Sequence, residues 1–329
     1  MTEELKDEKF QLLILGRFHP EARAWLQAQN FQILEESQKA SARALIIRSG
    51  TRVHREFLQR HPNLQVLVSC TAGFDHIDLS ATREFGICVM HTPRAHTESA
   101  AELTWALILA GQRRVARADS LVRRGSWERE PLEGQVLYRK TLGLVGLGRI
   151  GSRVAEIAEA FRMRILAFDP YQEDSVFQRL GAQRSSWEEV LKSSDVLSFH
   201  VPLTSETRHM LKRSSLEFLN REAFVVNTSR GAVICETDLV EALERNWIKG
   251  CGLDVFEREP LSKDSPLLKF PQVVMTPHLG AMTDFAFREA SFEGARKIQS
   301  FLVRGETSDV LPPQTEWFLH MGHFRAALS

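Results

Sequence analysis

The sequence predicts an α/β protein made of two doubly wound parallel-sheet domains. Three observations predict it. Strand-like apolar runs alternate with helical patterns over roughly the first ninety residues, and the alternation restarts near Lys140. Runs such as Ala44–Ile47 and Leu142–Leu147 are continuously apolar, the latter broken only by glycines, which is the pattern of strands buried on both faces. Between Lys140 and Pro170 a glycine-rich turn joins a strand to a helix, and the helix leads into a second strand ending on an acid.

In order, Gln11–Leu15 is a short apolar strand, and Pro20–Gln29 is helical with Ala22, Trp25 and Leu26 on one face. Phe31–Leu34 and Ala44–Ile47 are strands, Val53–Arg60 a helix, Leu64–Val68 a strand leading into the small-residue turn Ser69–Gly73, and Ile87–Met90 a fifth strand. This is a small doubly wound unit of the flavodoxin-like kind. Glu98–Gln112 is a strong helix, with Ala100, Leu103, Leu107 and Ala110 along one side, placed to bridge the two domains. The polar stretch Arg113–Gly134 reads as an extended arm, and so long an excursion is expected to pack on a second subunit.

After Pro170, Trp187–Ser193 is a helix with Ser185 or Ser186 as its N-cap. Strands follow at Asp195–Val201, Ala223–Asn227, Gly250–Val255 and Val273–Met275, with helices at Glu236–Arg245 and Phe285–Arg304. The stretch Thr307–Ser329 has weak periodicity and receives no assignment.

The composition is that of a soluble globular protein, with 43% hydrophobic and 26% charged residues in 329. A formal net charge of zero, without a long basic block, disfavours nucleic acid and anionic membranes as partners. Met1–Phe10 is charged, with no apolar core of a secretory signal, and no run approaches a membrane span, so a cytoplasmic location is expected. Cys70, Cys88, Cys235 and Cys251 lack paired spacing and read as reduced thiols, with no metal site expected.

The glycine turn carries specific chemistry. Gly146 permits the tight turn, Gly148 lets the backbone approach a pyrophosphate, and Gly151 lets the helix pack on the strand. The helix N-terminus offers free N–H groups to phosphates. Asp169 follows where a carboxylate accepts from a ribose 2′-OH, and its charge favours NAD over NADP, since Pro170 and Tyr171 supply no cation. This is a Rossmann NAD-binding unit.

Three residues sit just past predicted strands of that unit: Arg230, Glu259 and His278. Taken singly, Arg230 is equally a surface arginine and Glu259 a solvated loop acid. Together they are the set that hydride transfer needs. A guanidinium fork holds a substrate carboxylate, an imidazole gives or takes the hydroxyl proton, and a carboxylate stabilises the imidazolium. Asp254, inside the apolar Leu253–Val255, needs a partner, either a cofactor amide or a neighbouring donor. In the first unit, Arg48-Ser49-Gly50 and Cys70-Thr71-Ala72-Gly73 are strand-end turns that read as ordinary connections or as contacts for an anion.

These motifs, over about residues 45–304, resemble the NAD-dependent D-isomer-specific 2-hydroxyacid dehydrogenases. The similar segments are GLGRIG at 146–151, HVPLT at 200–204, NTSRG at 227–231, GLDVFEREP at 252–260, TPHLGA at 276–281 and TPRAHTESAAEL at 92–103. The resemblance implies catalysis by Arg230, Glu259 and His278. It implies cofactor contacts from Thr97, Arg149, Ile150, Thr228, Ser229 and Asp254, beside Gly146, Gly148, Gly151 and Asp169. It implies substrate contacts from Arg48, Ala72, Gly73 and Arg230, and no metal. It also implies a homodimer, a discontinuous substrate domain (1–98 and 285–329) and an NAD-binding domain (99–284) that close on each other.

Within the family, IIRSGTRV at 46–53 and GSWERE at 125–130 are similar to the 3-phosphoglycerate dehydrogenases of serine biosynthesis, and the regulatory domain that some of that branch carry is not expected. Ser69 stands where that branch tends to carry a second arginine. Asp75-His76 is similar to formate dehydrogenases, but Pro277 replaces the glutamine before the catalytic histidine there. The expected activity is NAD-dependent interconversion of a D-2-hydroxy acid and its 2-keto acid. 3-Phosphoglycerate, hydroxypyruvate and glyoxylate are the candidate substrates, and an NAD(H)-sensing corepressor-like role is the rival of another class.

Overall fold

The computed structural model describes residues 9–313. In chain order the elements are β1 (Phe10–Ile14), α1 (Pro20–Ala28), β2 (Phe31–Leu34), β3 (Ala44–Ile47), α2 (Arg55–Gln59), β4 (Val66–Ser69), α3 (Leu79–Glu84) and β5 (Cys88–His91). Then come α4 (Thr97–Gln112), α5 (Val115–Arg123), β6 (Thr141–Val145), α6 (Arg149–Ala160), β7 (Arg164–Phe168), α7 (Asp174–Arg179), β8 (Ala182–Arg184) and α8 (Trp187–Ser193). The rest are β9 (Val196–Phe199), α9 (Arg213–Leu216), β10 (Phe224–Asn227), α10 (Glu236–Glu244), β11 (Gly250–Leu253), β12 (Val273–Met275), α11 (Asp284–Arg304) and β13 (Val310–Leu311). They fall into two units, one formed by residues up to His96 and from Met282 onward, the other by Thr97–Ala281.

The first unit holds a sheet in the order β13-β5-β4-β3-β1-β2. Residues alternate between its faces. Leu13, Leu45, Ile47, Leu67 and Val89 pack with Leu58 and Leu79 on one side. Leu12, Ala44, Ile46, Val66, Val68 and Met90 pack with Leu26 of α1 and Ala295 and Ile298 of α11 on the other. The continuous apolar runs therefore serve two cores at once.

The second unit holds a sheet in the order β12-β11-β10-β9-β6-β7-β8, parallel throughout. Val145, Leu197, Phe199, Val225 and Leu253 face the core shared with α8, α9 and α10. Leu142, Leu144, Ala167, Val196 and Val226 face α4 and α6. Ser186, not Ser185, caps α8, its hydroxyl accepting from Glu189 N–H at 3.1 Å.

Four expectations change. The stretch 113–134 is not simply extended, because Val115–Arg123 is helical, with the Asp119–Arg123 pair at 2.8 Å on one side. Val53 lies outside α2, in a parallel bridge to Ile77. The first sheet is not purely parallel, since β13 joins β5 antiparallel. Buried Lys297 holds that segment, 2.6 Å from Asp309 and 3.3 Å from the Ser308 carbonyl. Finally, α3, α7, β8 and α9 are short elements that the periodicity does not announce. Of the unassigned C-terminal stretch, residues beyond 313 lie outside the described residues, as do residues 1–8 of the segment read for a secretory signal.

Candidate active site

The glycine turn of the second unit divides its work among three positions. Gly146 has φ +92°, and a Cβ there would lie 2.6 Å from the His200 carbonyl oxygen, so only glycine fits. Gly151 packs so closely that a Cβ would lie 2.0 Å from the Gly146 oxygen. Gly148, the N-cap of α6, has φ −68° and nothing within 4 Å of the space a Cβ would take. Its backbone is open to a ligand, at a helix N-terminus whose first N–H groups have no intrahelical acceptor. Arg149 and Ile150 are the first two residues of that helix.

Asp169 follows β7 and is tied into the turn. Its Oδ2 accepts from Leu147 N–H at 2.8 Å and its Oδ1 from Tyr171 N–H at 2.9 Å. Each oxygen keeps a lone pair for a further donor. Pro170 and Tyr171 supply no cation, but one from a distant segment lies nearby: Arg184, from the end of β8. Its guanidinium donates to the Asp169 carbonyl at 3.2 Å, to Asp174 Oδ1 at 2.7 Å and to the Gln172 carbonyl, with Phe177 beneath at 4.1 Å. Those acceptors already engage it. Nothing local flagged Arg184, because it reaches Asp169 across neighbouring strands.

The histidine stands on a turn built by Asp254. This carboxylate is completely buried. Its Oδ1 accepts from Thr276 Oγ1 at 2.6 Å and from Leu279 N–H at 2.7 Å, its Oδ2 from Gly280 N–H at 2.9 Å. The Asp254 carbonyl accepts from His278 N–H at 2.8 Å. The partners it required are therefore neighbouring protein donors. His278 sits at φ +56° on this turn. Its Nδ1 is 2.7 Å from Glu259 Oε2, while Glu259 Oε1 accepts from Phe256 N–H at 3.1 Å. The carboxylate thereby holds Nδ1 as the donor and leaves Nε2 free to exchange a proton.

Arg230 follows β10. Asn227 shapes its turn: Oδ1 accepts from Ser229 N–H and Oγ, and Nδ2 donates to the Arg230 carbonyl at 2.9 Å. Arg230 Nη1 donates to the Ser229 carbonyl at 2.8 Å. Gly231 lies flat on the Phe256–Glu257 peptide, where a Cβ would come 2.0 Å from the Phe256 oxygen. The segments bearing Arg230 and Glu259 thus touch. Thr228 Oγ1 is 2.8 Å from Thr104 Oγ1 on α4, whose first residue is Thr97.

In the first unit, Arg48 ends β3. Its Nη1 is buried without a hydrogen-bond partner, and its guanidinium lies 5.1 Å from the Phe287 ring. Arg17, which no sequence pattern singles out, lies 5.0 Å from the same ring. His96 is buried, with neither ring nitrogen hydrogen-bonded, and burial, followed by the charge of Arg48, pushes it down to about 4. Ala72 and Gly73 lie in the turn after β4. There Thr71 Oγ1 donates to the Gly73 carbonyl at 2.7 Å, and Ser69 Oγ lies 2.6 Å from Thr71 Oγ1 and 3.0 Å from His76 Nε2.

Residues 105–280 match the family model described as D-isomer specific 2-hydroxyacid dehydrogenase, NAD binding domain. The chain is 44% identical over 254 residues to a glyoxylate reductase of Aeropyrum pernix, covering 75% of this chain and 76% of that protein. It is 40% identical over 279 residues to a D-3-phosphoglycerate dehydrogenase of Methanocaldococcus jannaschii, covering 84% of this chain but only 52% of that protein. Among solved structures, a D-lactate dehydrogenase from Aquifex aeolicus in complex with NAD and lactic acid superposes with TM-score 0.79 at 28% identity, covering 93% of this chain and all of that one.

Proposed function

The chain belongs to the NAD-dependent D-isomer-specific 2-hydroxyacid dehydrogenases, and from that premise we propose that Arg230, Glu259 and His278 are its catalytic set, acting on a 2-keto acid with a second anionic group, such as 3-phosphohydroxypyruvate. NAD, when bound, supplies or accepts the hydride at carbon 2 of the acid. The open backbone at Gly148 and the α6 N-terminus fit its pyrophosphate. Gly146, Gly151, Arg149 and Ile150 complete that cradle, Asp169 takes a ribose hydroxyl, and Thr97, Thr228, Ser229 and Asp254 serve the remainder.

Arg230 binds the substrate carboxylate and polarises the adjacent carbonyl. In reduction, His278 Nε2 gives its proton to the oxygen of the forming alcohol. In oxidation it takes that proton back. Glu259 orients the ring and stabilises its protonated form. The observation that carries this assignment is the Nδ1–Glu259 bond on a turn fixed by Asp254. Arg48, Ala72 and Gly73 are proposed as further substrate contacts. The unpartnered Arg48 Nη1, with Arg17 against the same Phe287 ring, supports a substrate carrying a second anion.

A second reading, glyoxylate reduction, is favoured by Ser69 in place of a cation and by a relative of comparable length that bears that name. NADH oxidation with 3-phosphohydroxypyruvate, hydroxypyruvate and glyoxylate at matched concentrations separates the two. A preference for glyoxylate removes the phosphorylated acid and, with it, serine biosynthesis. His278→Ala is expected to lose most of kcat while NADH still binds, and an unchanged kcat removes His278 from the chemistry.

The proposal extends to a cytoplasmic homodimer. No described helix is long and apolar enough to cross a membrane. Helix α5 buries none of its residues, and Val115, Val122 and Trp127 are exposed, which supports a partner on this face. Light scattering at the monomer mass would remove the dimer.

A further inference from the structure

In the second unit, three separate segments bring together an imidazole, a thiol and a carboxylate. They are His209, Cys235 and Glu257, whose ligand-type atoms all lie within 4.8 Å of one another. His209 Nε2 is 2.6 Å from Glu257 Oε1. His209 and Cys235 are half-buried and Glu257 is exposed, so the cluster opens to solvent on one side. The backbone around it is fixed: His209 N–H donates to the Ala232 carbonyl at 2.8 Å, and Cys235 N–H to the Leu211 carbonyl at 2.9 Å. Glu257 N–H donates to Glu236 Oε1, and Glu236 N–H to Glu257 Oε1 at 3.4 Å. One carboxylate and one thiol thus lie beside the imidazole, and a second carboxylate, Glu236, is bonded to Glu257.

We propose that His209, Cys235 and Glu257 form a binding site for one divalent cation of the zinc class, with a fourth position open to water. The ligand set decides the class. Nitrogen, sulfur and oxygen donors together suit a borderline-soft ion that tolerates tetrahedral geometry, whereas calcium and magnesium take oxygen ligands. In a tetrahedral zinc site, neighbouring ligand atoms lie roughly 3.2–3.8 Å apart. Seating the ion therefore requires the His209–Glu257 contact to open and the thiol to close by about an ångström or less, within the reach of side-chain rotation.

The position suggests what a bound ion does. Cys235 lies on the segment that follows Arg230, and Glu257 lies two residues before Glu259. Gly231 already rests on the Phe256–Glu257 peptide. An ion held by these three side chains clasps those two segments together, with ligands other than Arg230, Glu259 and His278. It acts as a clamp on the relative placement of Arg230 and Glu259 and takes no part in the chemistry.

The test uses the full chain and Co²⁺ as a spectroscopic substitute for Zn²⁺. Wild type is expected to bind one equivalent of Co²⁺ with a near-ultraviolet thiolate charge-transfer band that Zn²⁺ displaces and Mg²⁺ does not. Cys235→Ser should lose the band, Cys88→Ser should keep it, and His209→Gln should weaken binding at least tenfold. Circular dichroism checks that each variant is folded. Zn²⁺ should raise the thermal midpoint of wild type and leave that of Cys235→Ser unmoved. Absence of the band in wild type, or its persistence in Cys235→Ser, overturns the proposal. None of these readouts depends on turnover, so the site stands or falls apart from the substrate assignment.

Discussion

Glu259→Gln is the most informative single change, because the two oxygens of Glu259 do different jobs. Oε1 accepts from the Phe256 backbone N–H and Oε2 from His278 Nδ1. Glutamine has one oxygen and one NH₂. The Phe256 N–H cannot turn away, so the amide oxygen is expected to stay there and present the NH₂ to His278. That group is a donor and accepts nothing from Nδ1–H. The neutral ring is then driven to the tautomer protonated on Nε2, and the imidazolium meets a donor instead of a carboxylate. The lost bond is charge-assisted, a class contributing about 1.5–3 kcal/mol. At about 1.36 kcal/mol per factor of ten, kcat should fall about ten- to a hundredfold. NADH affinity, measured by protein fluorescence, should not change. The assay is the pH profile of kcat for NADH oxidation with the preferred keto acid. A Glu259→Gln enzyme with kcat within about twofold of wild type and an unshifted profile would refute the orienting role.

Other expectations follow from the same geometry. Gly151→Ala places a Cβ against the Gly146 carbonyl and should lower the melting temperature, overpacking costing about 1–3 kcal/mol. Gly148→Ala meets nothing and should leave the melting temperature alone while weakening NADH binding, as calorimetry and titration would show. Asp254→Ala leaves Thr276 Oγ1, Leu279 N–H and Gly280 N–H without their acceptor, each at a cost of about 1–3 kcal/mol, and should lower stability and kcat together. A fully stable and active variant would deny that this carboxylate builds the histidine's turn. His96 is held down to about 4 from 6.5, so between those values the unfolded chain binds a proton that the folded chain refuses. Stability should therefore fall as pH falls through that window, by about 3 kcal/mol for this group, and denaturant midpoints for His96→Gln should show a flatter slope.

Much of this molecule is legible in one dimension. The runs Ala44–Ile47 and Phe224–Asn227 are apolar at every position but the terminal Asn227, because each strand lies between two layers of helices, and such runs need no partner to be recognised. The glycine turn is equally plain. Gly146 and Gly151 are dictated by contacts within one strand–turn–helix–strand unit, where sequence neighbours are spatial neighbours. Arg230, Glu259 and His278 announce themselves by standing just past strands of a parallel sheet, whose carboxyl ends share one edge.

What tertiary structure alone decided depends on pairing between distant segments. That Asp254 supports the turn of His278 follows from where the chain runs after β12. Arg184 meets Asp169 only because β8 lies beside β7, and Lys297 draws Asp309 into the neighbourhood of β13 only once α11 has packed. His209, Cys235 and Glu257 carry no motif spacing, since each comes from a different crossover. Periodicity records which face of an element is buried. It does not record which side chains of other elements will meet there, because register and packing are set by the fold as a whole.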